Sequence, residues 1–513
     1  TRYNPPMHAS ESPTKSAPSA DKTAKEDLVP ISQKIGYGLG TYFDMWGHWL
    51  YPTIAFQIFG LYLGVSPYLI GWAVILNRVF DAVSDPVFGW LSDNTRSRWG
   101  RRRPFMLVGA ILAGGCLPLL LAVVPGWSSW TYFWFMLISS AIYLPMVSCF
   151  NMPYQSLANE LTPDYHERTN VFAVKNAFQK IPELGLFFFG AFFSRAVWVG
   201  ADGSNVWERI VQLCTTTAAW TSAPDGSKPN MLLGAQVYLT ICGIIMVVCG
   251  LLCVFLVRER YYDKLVANRT DKISIKDTIW QTLKCRPFLI QKIMDMGYNM
   301  GLSMVGTLGL ALTIYYVCNS NTSVGNYWNS LMGMSGMVFG FLGIPVFAFI
   351  AHKLGKRHAM MCVLGSGILI FAASWWLYTP KIVWLQVFAS GLNAFIGAGY
   401  WTLSGSIGAD VMDYDELEGG RRREGSFVAC GSWINKVGMA IGAGVSFFIL
   451  GWIGFDSSLP QQTDHTITMI RILFLAIPIA GLAFSMISLT RFPLTHEKMM
   501  EIRTALEARR GKV

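Results

Sequence analysis

The sequence predicts an all-α polytopic membrane protein with twelve transmembrane helices in two six-helix bundles. Of its 513 residues, 52% are hydrophobic and only 14% are charged, whereas about 25% of the residues in a typical soluble protein are charged. The mean hydropathy is +0.38. Apolar runs recur along the chain, and most of them exceed the roughly 20 residues that one helix needs to cross a bilayer.

The predicted spans form two groups of six. The first group lies near 37–63, 67–92, 104–124, 130–157, 170–194 and 233–257. The second group lies near 287–318, 324–351, 359–378, 382–410, 424–454 and 467–490. The chain therefore divides into a disordered cytoplasmic tail 1–30, an N-terminal bundle 31–257, a cytoplasmic middle loop 258–286, a C-terminal bundle 287–490 and a cytoplasmic tail 491–513.

Lysine and arginine are concentrated on one side of these spans. Of the 41 basic residues, 31 lie in the tails and in the connections after even-numbered spans, five lie on the opposite side and five lie within spans. Because an excess of basic residues marks the cytoplasmic side, we expect both termini to be cytoplasmic and the protein to lie in the cell inner membrane. The net charge of +10 comes from basic residues that lie mostly on this one side of the spans, so it does not indicate a nucleic-acid partner.

The two halves of the chain resemble each other. The basic turn GWLSDNTRSRWGRRR follows the second span, and AHKLGKRH follows the eighth. After the fourth span comes NELTPDYHERTNVF, and after the tenth comes ADVMDYDELEGGRRREGSF. Such repeats are typical of transporters in which two related bundles enclose a site near the middle of the membrane.

Charged residues interrupt the second span. Arg78, Asp81 and Asp85 recur at helical spacing, so the two carboxylates share one helix face. Charges inside a membrane helix are costly and usually mark an ion or substrate path. We interpret Asp81 and Asp85 as a cation site and Arg78 as a substrate contact. The alternative is a structural ion-pair cluster that closes a gate.

A second intramembrane carboxylate, Asp44, lies in the segment GTYFDMWGHW. Sugars are bound by carboxylates that accept from hydroxyl pairs and by aromatic faces, so Asp44, Tyr42 and Trp46 are candidate substrate ligands. The alternative for Trp46 is packing, or a place in an aromatic belt. His48 is interpreted as a packing residue.

The fifth span carries Lys175, Lys180 and Glu183. A cationic cavity wall would suit an anionic substrate, such as a uronide or a sulfonated sugar, whereas Lys180 and Glu183 could simply pair with each other. Candidate substrate contacts in the second half of the chain are Asp295, Tyr298, Asn299, Tyr400 and Trp401.

Several of these motifs resemble one family. The element G-x-x-x-D at Gly89 and Asp93, followed by WGRRRP, resembles the loop 2–3 motif of the major facilitator superfamily. The pattern R-x-x-D-x-x-x-D-P at 78–86 and the segments 151–168 and 409–425 resemble the glycoside–pentoside–hexuronide:cation symporters. The resemblance covers about residues 30–490. It implies the major facilitator fold and cation-coupled symport of a sugar or glycoside by alternating access.

The resemblance also implies roles for single residues. Asp81 and Asp85 match the pair that binds the coupling cation, and Lys436 matches a lysine near that site. Asp44 matches a sugar-binding aspartate.

The chain departs from the family pattern at three positions. Asn151 takes the place of a third cation-site aspartate. Gln155, which follows Tyr154, takes the place of a sugar-stacking tryptophan. Asn176, which follows Lys175, takes the place of an arginine. The three residues and their neighbours Tyr154 and Lys175 remain candidate ligands. The substrate specificity of the family's characterised members cannot be assigned to this chain.

The coupling ion is expected to be H+ or Na+. Asn151 removes one negative charge from the site, which disfavours sodium, and two close carboxylates favour sharing a proton. Sodium bound at Asp81 and Asp85 remains the alternative, because Asn151 keeps an amide oxygen and Lys436 is expected to lie too far away to interfere. No other cofactor is expected.

The arginine run at 96–103, which includes Arg101 and Arg102, is expected to lock an inner gate. Its expected partners are the carboxylates of Asp93, Asp164 and Asp413.

Two other functions are alternatives to sugar symport. One is a lysolipid carrier, since a branch related to this family moves lysophospholipids. The other is a membrane-embedded enzyme, but the chain contains no HExxH, GxSxG or GxxxxGK[ST] motif and no cluster of metal ligands. The expected partners are a small-molecule sugar or glycoside, a monovalent cation and the lipid bilayer. The expected oligomeric state is a monomer.

Overall fold

The structure is a computed structural model that describes residues 28–95, 97, 99–100, 102–161, 165–221, 223, 227–258, 282–419, 424–456, 459 and 461–510. The expectations for most of the N-terminal tail and for residues 259–281 of the middle loop lie outside the described residues.

The first half of the chain contributes seven α-helices to the described structure. They are α1 (Ile31–Ile54, continued by a π-helix Ala55–Tyr62), α2 (Pro67–Asn94), α3 (Arg103–Cys116, continued by a 3-10 turn Leu117–Leu121), α4 (Ser129–Leu161), α5 (Tyr165–Phe193), α6 (Val206–Thr215) and α7 (Met231–Leu256). The short α6 lies in the long connection after α5, where it packs with Trp198 and Ala219 in a small separate core.

The second half contributes another seven α-helices. They are α8 (Arg286–Leu312, continued by a π-helix Thr313–Val317), α9 (Thr322–Leu354), α10 (Lys356–Leu377), α11 (Leu385–Gly419), α12 (Glu424–Trp452), α13 (Asp464–Thr490) and α14 (His496–Arg510). The sequence did not indicate α14, which buries Met499 and Ile502 in the core of the second half.

Leaving aside α6 and α14, the long helices coincide with the twelve predicted spans, and the all-α polytopic fold is confirmed. Among the described residues, eight helices are long and apolar enough to cross a membrane by length and composition alone. The other four long helices are α1, α2, α5 and α11, and each of them contains charged residues. Twelve membrane crossings therefore remain a prediction.

Small residues allow several helices to pack at close range. A Cβ on Gly481 of α13 would lie 2.7 Å from the carbonyl oxygen of Gly297 and 2.9 Å from the Cα of Gly301 in α8. Glycine at such positions lets two backbones approach in the absence of a hydrophobic driving force between membrane helices.

The two halves meet along α2 with α12 and along α5 with α9. The end of α5 contacts the beginning of α9, where Ser323 Oγ donates to the Ser194 carbonyl at 2.6 Å and Ser330 Oγ donates to the Phe187 carbonyl at 3.1 Å. The beginning of α2 contacts the end of α12, and the rings of Trp72 and Phe448 lie 5.4 Å apart. All four helix ends lie on the side opposite the predicted cytoplasmic side, so the bundle is closed there.

The predicted inner gate is described only in part. Arg101, Asp164 and the side chain of Asp93 lie outside the described residues. Arg102 is buried and Asp413 is half-buried. Their gating roles stay predictions.

Candidate functional site

The carboxylates of α2 lie in the interior and face basic groups. The side chain of Asp81 is only 1% exposed, and its Oδ2 lies 3.2 Å from Nη1 of Arg78, one turn earlier on the same helix. Nη2 of Arg78 also donates to the His48 carbonyl of α1 at 3.3 Å. Arg78 therefore links α1 and α2 and compensates the charge of Asp81.

Lys436 reaches this pair of carboxylates from the other half of the molecule. Its ammonium group on α12 donates a hydrogen bond to Asp85 and lies 3.7 Å from Oδ2 of Asp81. The expectation that Lys436 lies too far away to interfere with a cation was wrong, because α2 and α12 pack side by side across the interface between the halves. In this conformation the ammonium group itself neutralises the carboxylates.

His48 is a member of the cluster that the sequence analysis missed. Its Nε2 lies 3.6 Å from Oδ1 of Asp81, and neither atom has a hydrogen-bond partner among the described residues. The ring is buried, with Nδ1 3.2 Å from the Asp44 carbonyl oxygen. The interpretation of His48 as a satisfied packing residue was therefore wrong. No spacing in the sequence pointed to this contact, because His48 lies on α1 and Asp81 on α2.

Asn151 lies beside His48, and the structure gives it no contact with either carboxylate. The amide nitrogen of Asn151 is 3.3 Å from Nδ1 of His48, while its Oδ1 has no hydrogen-bond partner within the described part of the chain. Ser148, one turn earlier on α4, instead donates to Oδ1 of Asp85 at 2.8 Å. Ser84 extends the network, with its Oγ 2.9 Å from that of Ser148.

The cluster holds two acids and two permanent cations. Arg78 and Lys436 balance Asp81 and Asp85, so the formal charge is zero when His48 is neutral. One ligand atom from each of His48, Asp81 and Asp85 lies within 4.8 Å of the others. These oxygen and nitrogen atoms suit a proton or a small cation, but a cation bound at Asp85 has to displace the ammonium group of Lys436.

Asp44 pairs with a lysine of α5. Nζ of Lys175 lies 3.8 Å from Oδ2 of Asp44, and both side chains are partly exposed, at 15% and 18%. Lys175 also lies 5.6 Å from the ring centre of Tyr154. The carboxylate and the ammonium group are thus held together within reach of a ligand, and Lys175 is not an uncompensated cation.

Most of the aromatic candidates near Asp44 are buried in the packing between helices. Trp46 is 5% exposed, and its indole N–H donates to the Pro182 carbonyl at 2.9 Å. Tyr154 is fully buried, and its hydroxyl donates to the Tyr37 carbonyl at 2.8 Å. Buried rings present no face to a sugar, so we remove Trp46 and Tyr154 from the candidate ligands in this conformation. Tyr42 packs edge-on to Trp46 and is only partly buried.

The second half contains its own buried carboxylate, Asp295 of α8. Lys292 contacts its Oδ2 at 2.7 Å, and the hydroxyls of Tyr400 and Ser404 donate to its Oδ1 at 2.7 and 2.8 Å. The ring of Tyr298 stacks on Tyr400 with the ring centres 3.5 Å apart. Asp295, Tyr298 and Tyr400 are therefore held by one another in the interior. The amide of Asn299 donates to Asn435 at 3.5 Å.

Two cavities lie beside these groups. A cavity of about 570 Å³ lies between α5, α9 and α11, and Asn176, Lys180 and Glu183 line it. A cavity of about 470 Å³ lies between α8, α11 and α12, and Lys292 and Lys436 line it. Both volumes fall within the usual range of 300–1,000 Å³ for small-molecule sites. Trp401 lines both cavities.

The structure thus groups the predicted residues into separate places. Asp81, Asp85, Lys436 and Arg78 form one cluster across α2 and α12, with Asn151 of α4 beside His48, and Asp44 and Lys175 form a pair between α1 and α5. Of the second-half candidates, Asp295 and Trp401 line the smaller cavity, and Tyr298, Asn299 and Tyr400 are buried. Gln155 and Asn176 are exposed, Asn176 toward the larger cavity.

A comparison with known proteins agrees with this architecture. The model of a family described as "MFS/sugar transport protein" matches residues 33–496. The chain is 24% identical to a putative glycoside/cation symporter of Escherichia coli, over 92% of this chain and 94% of that protein. It is 25% identical to a glucuronide carrier protein homolog of the same organism, over 93% and 95% of the two chains. A sodium-dependent lysophosphatidylcholine symporter of Danio rerio is 22% identical, over 83% and 78%.

Solved transporter structures share the fold. The chain matches a nucleoside transporter with a TM-score of 0.59 at 14% identity, covering 90% of this chain and all of that one. It matches a D-xylose-proton symporter with a TM-score of 0.57 at 13% identity, covering 89% and 97% of the two chains.

Proposed function

The chain belongs to the MFS/sugar transport family, and from this premise we propose that it is a cation-coupled symporter of a sugar or glycoside that works by alternating access. It is a multi-pass membrane transporter and not an enzyme, as the sequence predicted. We place it in the cell inner membrane with both termini in the cytoplasm, on the distribution of basic residues.

The contact between Lys436 and Asp85 is the single observation that carries the proposal. It joins α12 of one half to α2 of the other at the candidate cation site. A proton or sodium ion that neutralises Asp85 removes the hydrogen-bonded partner of Lys436 and leaves only its longer contact with Asp81, at 3.7 Å, so the link between the halves weakens. Cation binding thereby changes the relative stability of the two transport conformations, which is the requirement for coupling.

The closed side of the bundle supports a transport cycle. The ends of α5 and α12 contact the beginnings of α9 and α2, while the larger cavity lies along the remaining turns of α5 and α9. The described contacts hold the predicted outer side together, and the proposed cycle includes a second conformation in which these contacts are broken. Rocking of the two halves would break the outer contacts and expose the same groups to the other side.

The proposed substrate ligands are the Asp44–Lys175 pair, Asn176 and Trp401. The charged pair can hydrogen-bond neighbouring sugar hydroxyls, and the half-exposed indole of Trp401 can lie against the apolar face of a sugar ring. The names of two relatives, a glycoside/cation symporter and a glucuronide carrier, support this substrate class.

The proposed coupling ion is the proton, with sodium at Asp81 and Asp85 as the alternative. A proton bound to Asp85 neutralises the carboxylate without needing the space next to Lys436. Sodium needs several oxygen ligands, whereas Asn151 turns its amide nitrogen toward His48 and is not placed to replace a third carboxylate.

Counterflow of labelled sugars into proteoliposomes tests the substrate class. We expect a preloaded sugar to drive the entry of its labelled form in vesicles with the protein and not in empty vesicles. Entry of labelled lysophosphatidylcholine without counterflow of any sugar in the panel would contradict the proposal.

A lysolipid carrier is the second candidate, because the larger cavity offers an apolar wall. Phe187 of α5 and Phe341 and Ile344 of α9 line it, and these helices come from opposite halves of the molecule. The lysophosphatidylcholine symporter among the relatives supports this alternative. Against it, the same cavity contains the Lys180–Glu183 ion pair and two amide side chains, which would contact an acyl chain unfavourably.

A further inference from the structure

We infer that Gln57 and Asn326 are gating residues of the predicted outer side, whose buried amides oppose its closure and so make it easier to open. They lie at the α5–α9 seam, by which we mean the contact between the end of α5 and the beginning of α9. The inference rests on the proposed alternating access. It concerns the opening step and not the identity of the substrate or of the coupling ion.

The two amides approach the same point of α5 from opposite halves of the molecule. Gln57 lies in the π-helix that continues α1, and Asn326 lies in the second turn of α9. A Cβ added to Gly190 of α5 would be 2.7 Å from Oε1 of Gln57 and closer still to Oδ1 of Asn326. Only glycine at this position leaves room for both amides.

Both amides are buried without the hydrogen bonds that they could make. Gln57 is 2% exposed and Asn326 is fully buried. Oε1 of Gln57 and both side-chain polar atoms of Asn326 have no partner in the described part of the chain. Two hydroxyls of the seam donate to backbone carbonyls instead. Ser194 Oγ donates to the Gly190 carbonyl at 2.7 Å, and Ser330 Oγ donates to the Asn326 carbonyl at 3.0 Å.

These amides cost free energy only while the seam is closed. A polar group that is buried without a partner has lost its hydrogen bonds to water and gained none in return. When α9 separates from α5, water reaches both amides and restores those bonds. The amide pair therefore opposes closure of the seam, whereas the two serine hydrogen bonds between α5 and α9 favour it.

The amide pair lies between the larger cavity and the predicted outer side. The residues of α5 that line this cavity end at Phe187, and those of α9 begin at Met332. Gly190 and Asn326 lie one to two turns further toward the outer ends of these helices. A substrate that enters the cavity from the outer side therefore has to pass the opened seam, and the amides favour that opening.

Alkylation of a cysteine in the seam measures how often the seam opens. Ser323→Cys places a thiol on α9 where the native side chain is 7% exposed, and the exposed Cys214 is replaced by serine. The full-length protein is held in lipid nanodiscs, which leave both faces accessible to a maleimide. At low maleimide concentration the rate is proportional to the open fraction, and the same protein without Ser323→Cys gives the background.

Asn326→Leu replaces the amide by an apolar side chain of similar size. We expect it to slow the alkylation of Ser323→Cys roughly five- to a hundredfold, since one buried polar group without a partner shifts an equilibrium by this factor. The melting temperature should not fall, because no hydrogen bond of the Asn326 side chain is lost. Gln57→Leu removes the other amide and decides the outcome where Asn326→Leu lowers the melting temperature.

Asn77→Leu is the matched control. Asn77 is also a buried asparagine whose Nδ2 has no partner among the described residues, but it contacts Ser140 of α4 and so lies within one half of the molecule. Separation of α9 from α5 does not act on this contact. The alkylation rate of Ser323→Cys should therefore stay unchanged in this variant.

The outcomes separate the inference from the function on which it rests. An unchanged or faster rate in a stably folded Asn326→Leu or Gln57→Leu, or equal slowing by Asn77→Leu, would overturn the gating role and leave alternating access standing. Alkylation that never exceeds the background, even with both amides present, would show that the seam does not open and would contradict alternating access as well.

Discussion

Charged side chains in the interior form pairs of opposite charge, and the effect of a substitution on stability and transport depends on the partner that it leaves. Asp81 is next to Arg78, Asp85 is next to Lys436, and Asp44 is next to Lys175. Removing one member of a buried pair leaves the other uncompensated and typically costs about 3–5 kcal/mol. A surface pair contributes about 1 kcal/mol or less. The interior pairs are therefore where single substitutions should alter transport.

Asp85→Asn removes the carboxylate that Lys436 contacts and imitates its neutralised form. We expect this variant to lose uphill accumulation of substrate and to keep downhill exchange, because no cation can then be bound and released at this position. Accumulation and counterflow in the same proteoliposomes measure the two activities separately. Glu183→Gln, which removes a carboxylate outside the cluster, should still accumulate substrate; accumulation by Asp85→Asn would disprove the coupling role.

Asp44→Ala removes a charged hydrogen-bond partner from the proposed substrate site. The loss should cost about 1.5–3 kcal/mol of binding free energy, or roughly ten- to a hundredfold in affinity. Calorimetry with the transported sugar measures this change directly. A cycle with Lys175→Gln would show how much of the loss comes from leaving Lys175 unpaired, and an unchanged affinity in Asp44→Ala would contradict the assignment.

The sequence located some of these side chains and could not locate others. Asp44, Asp81 and Asp85 were identifiable because a carboxylate inside an apolar run has few explanations. The hydroxyl of Ser148 gave no such signal, since serine is common in membrane helices. The contact of Lys436 with Asp85 joins residues 351 positions apart, so spacing within the sequence could not predict it, and only the family resemblance placed Lys436 near the cation site.

Most of the helices were predictable from the sequence, and there are physical reasons why two of them were not. The predicted runs coincide with the twelve long helices, eight of which are long and apolar enough to cross a bilayer by length and composition among the described residues. The short amphipathic α6 and the polar α14 lie outside such runs and have no comparable signal. The packing between helices depends on glycines, and the sequence alone does not show which residue of another helix each glycine contacts.

Gly481→Ala tests the close approach of α13 to α8. The new Cβ would lie 2.7 Å from the Gly297 carbonyl oxygen, and the helices would have to separate. Overpacking of this kind typically costs about 1–3 kcal/mol, so the melting temperature should fall. Gly365→Ala in α10 is the matched control, because no atom lies within 4 Å of its added Cβ. Thermal unfolding followed by circular dichroism measures both, and equal melting temperatures for the two variants would contradict the packing.

The whole molecule is a pair of helical bundles held together at two seams. One seam joins α5 to α9 and the other joins α2 to α12, and the cation candidates lie along the second. Internal sequence similarity predicted the two bundles, because related halves fold alike. The sequence could not predict which ends of these seams are in contact, because the apolar pattern of a helix does not depend on how the two bundles are tilted against each other.

Gradient-driven uptake into proteoliposomes tests whether the protein is a cation-coupled sugar symporter. Labelled sugar that shows counterflow is offered to the vesicles under an inward pH gradient alone and, separately, under an inward sodium gradient alone. We expect accumulation above the external concentration under the pH gradient and none when the gradient is collapsed. Accumulation under sodium alone would keep symport and make sodium the coupling ion at Asp81 and Asp85. Equilibration without accumulation under either gradient would contradict the claim.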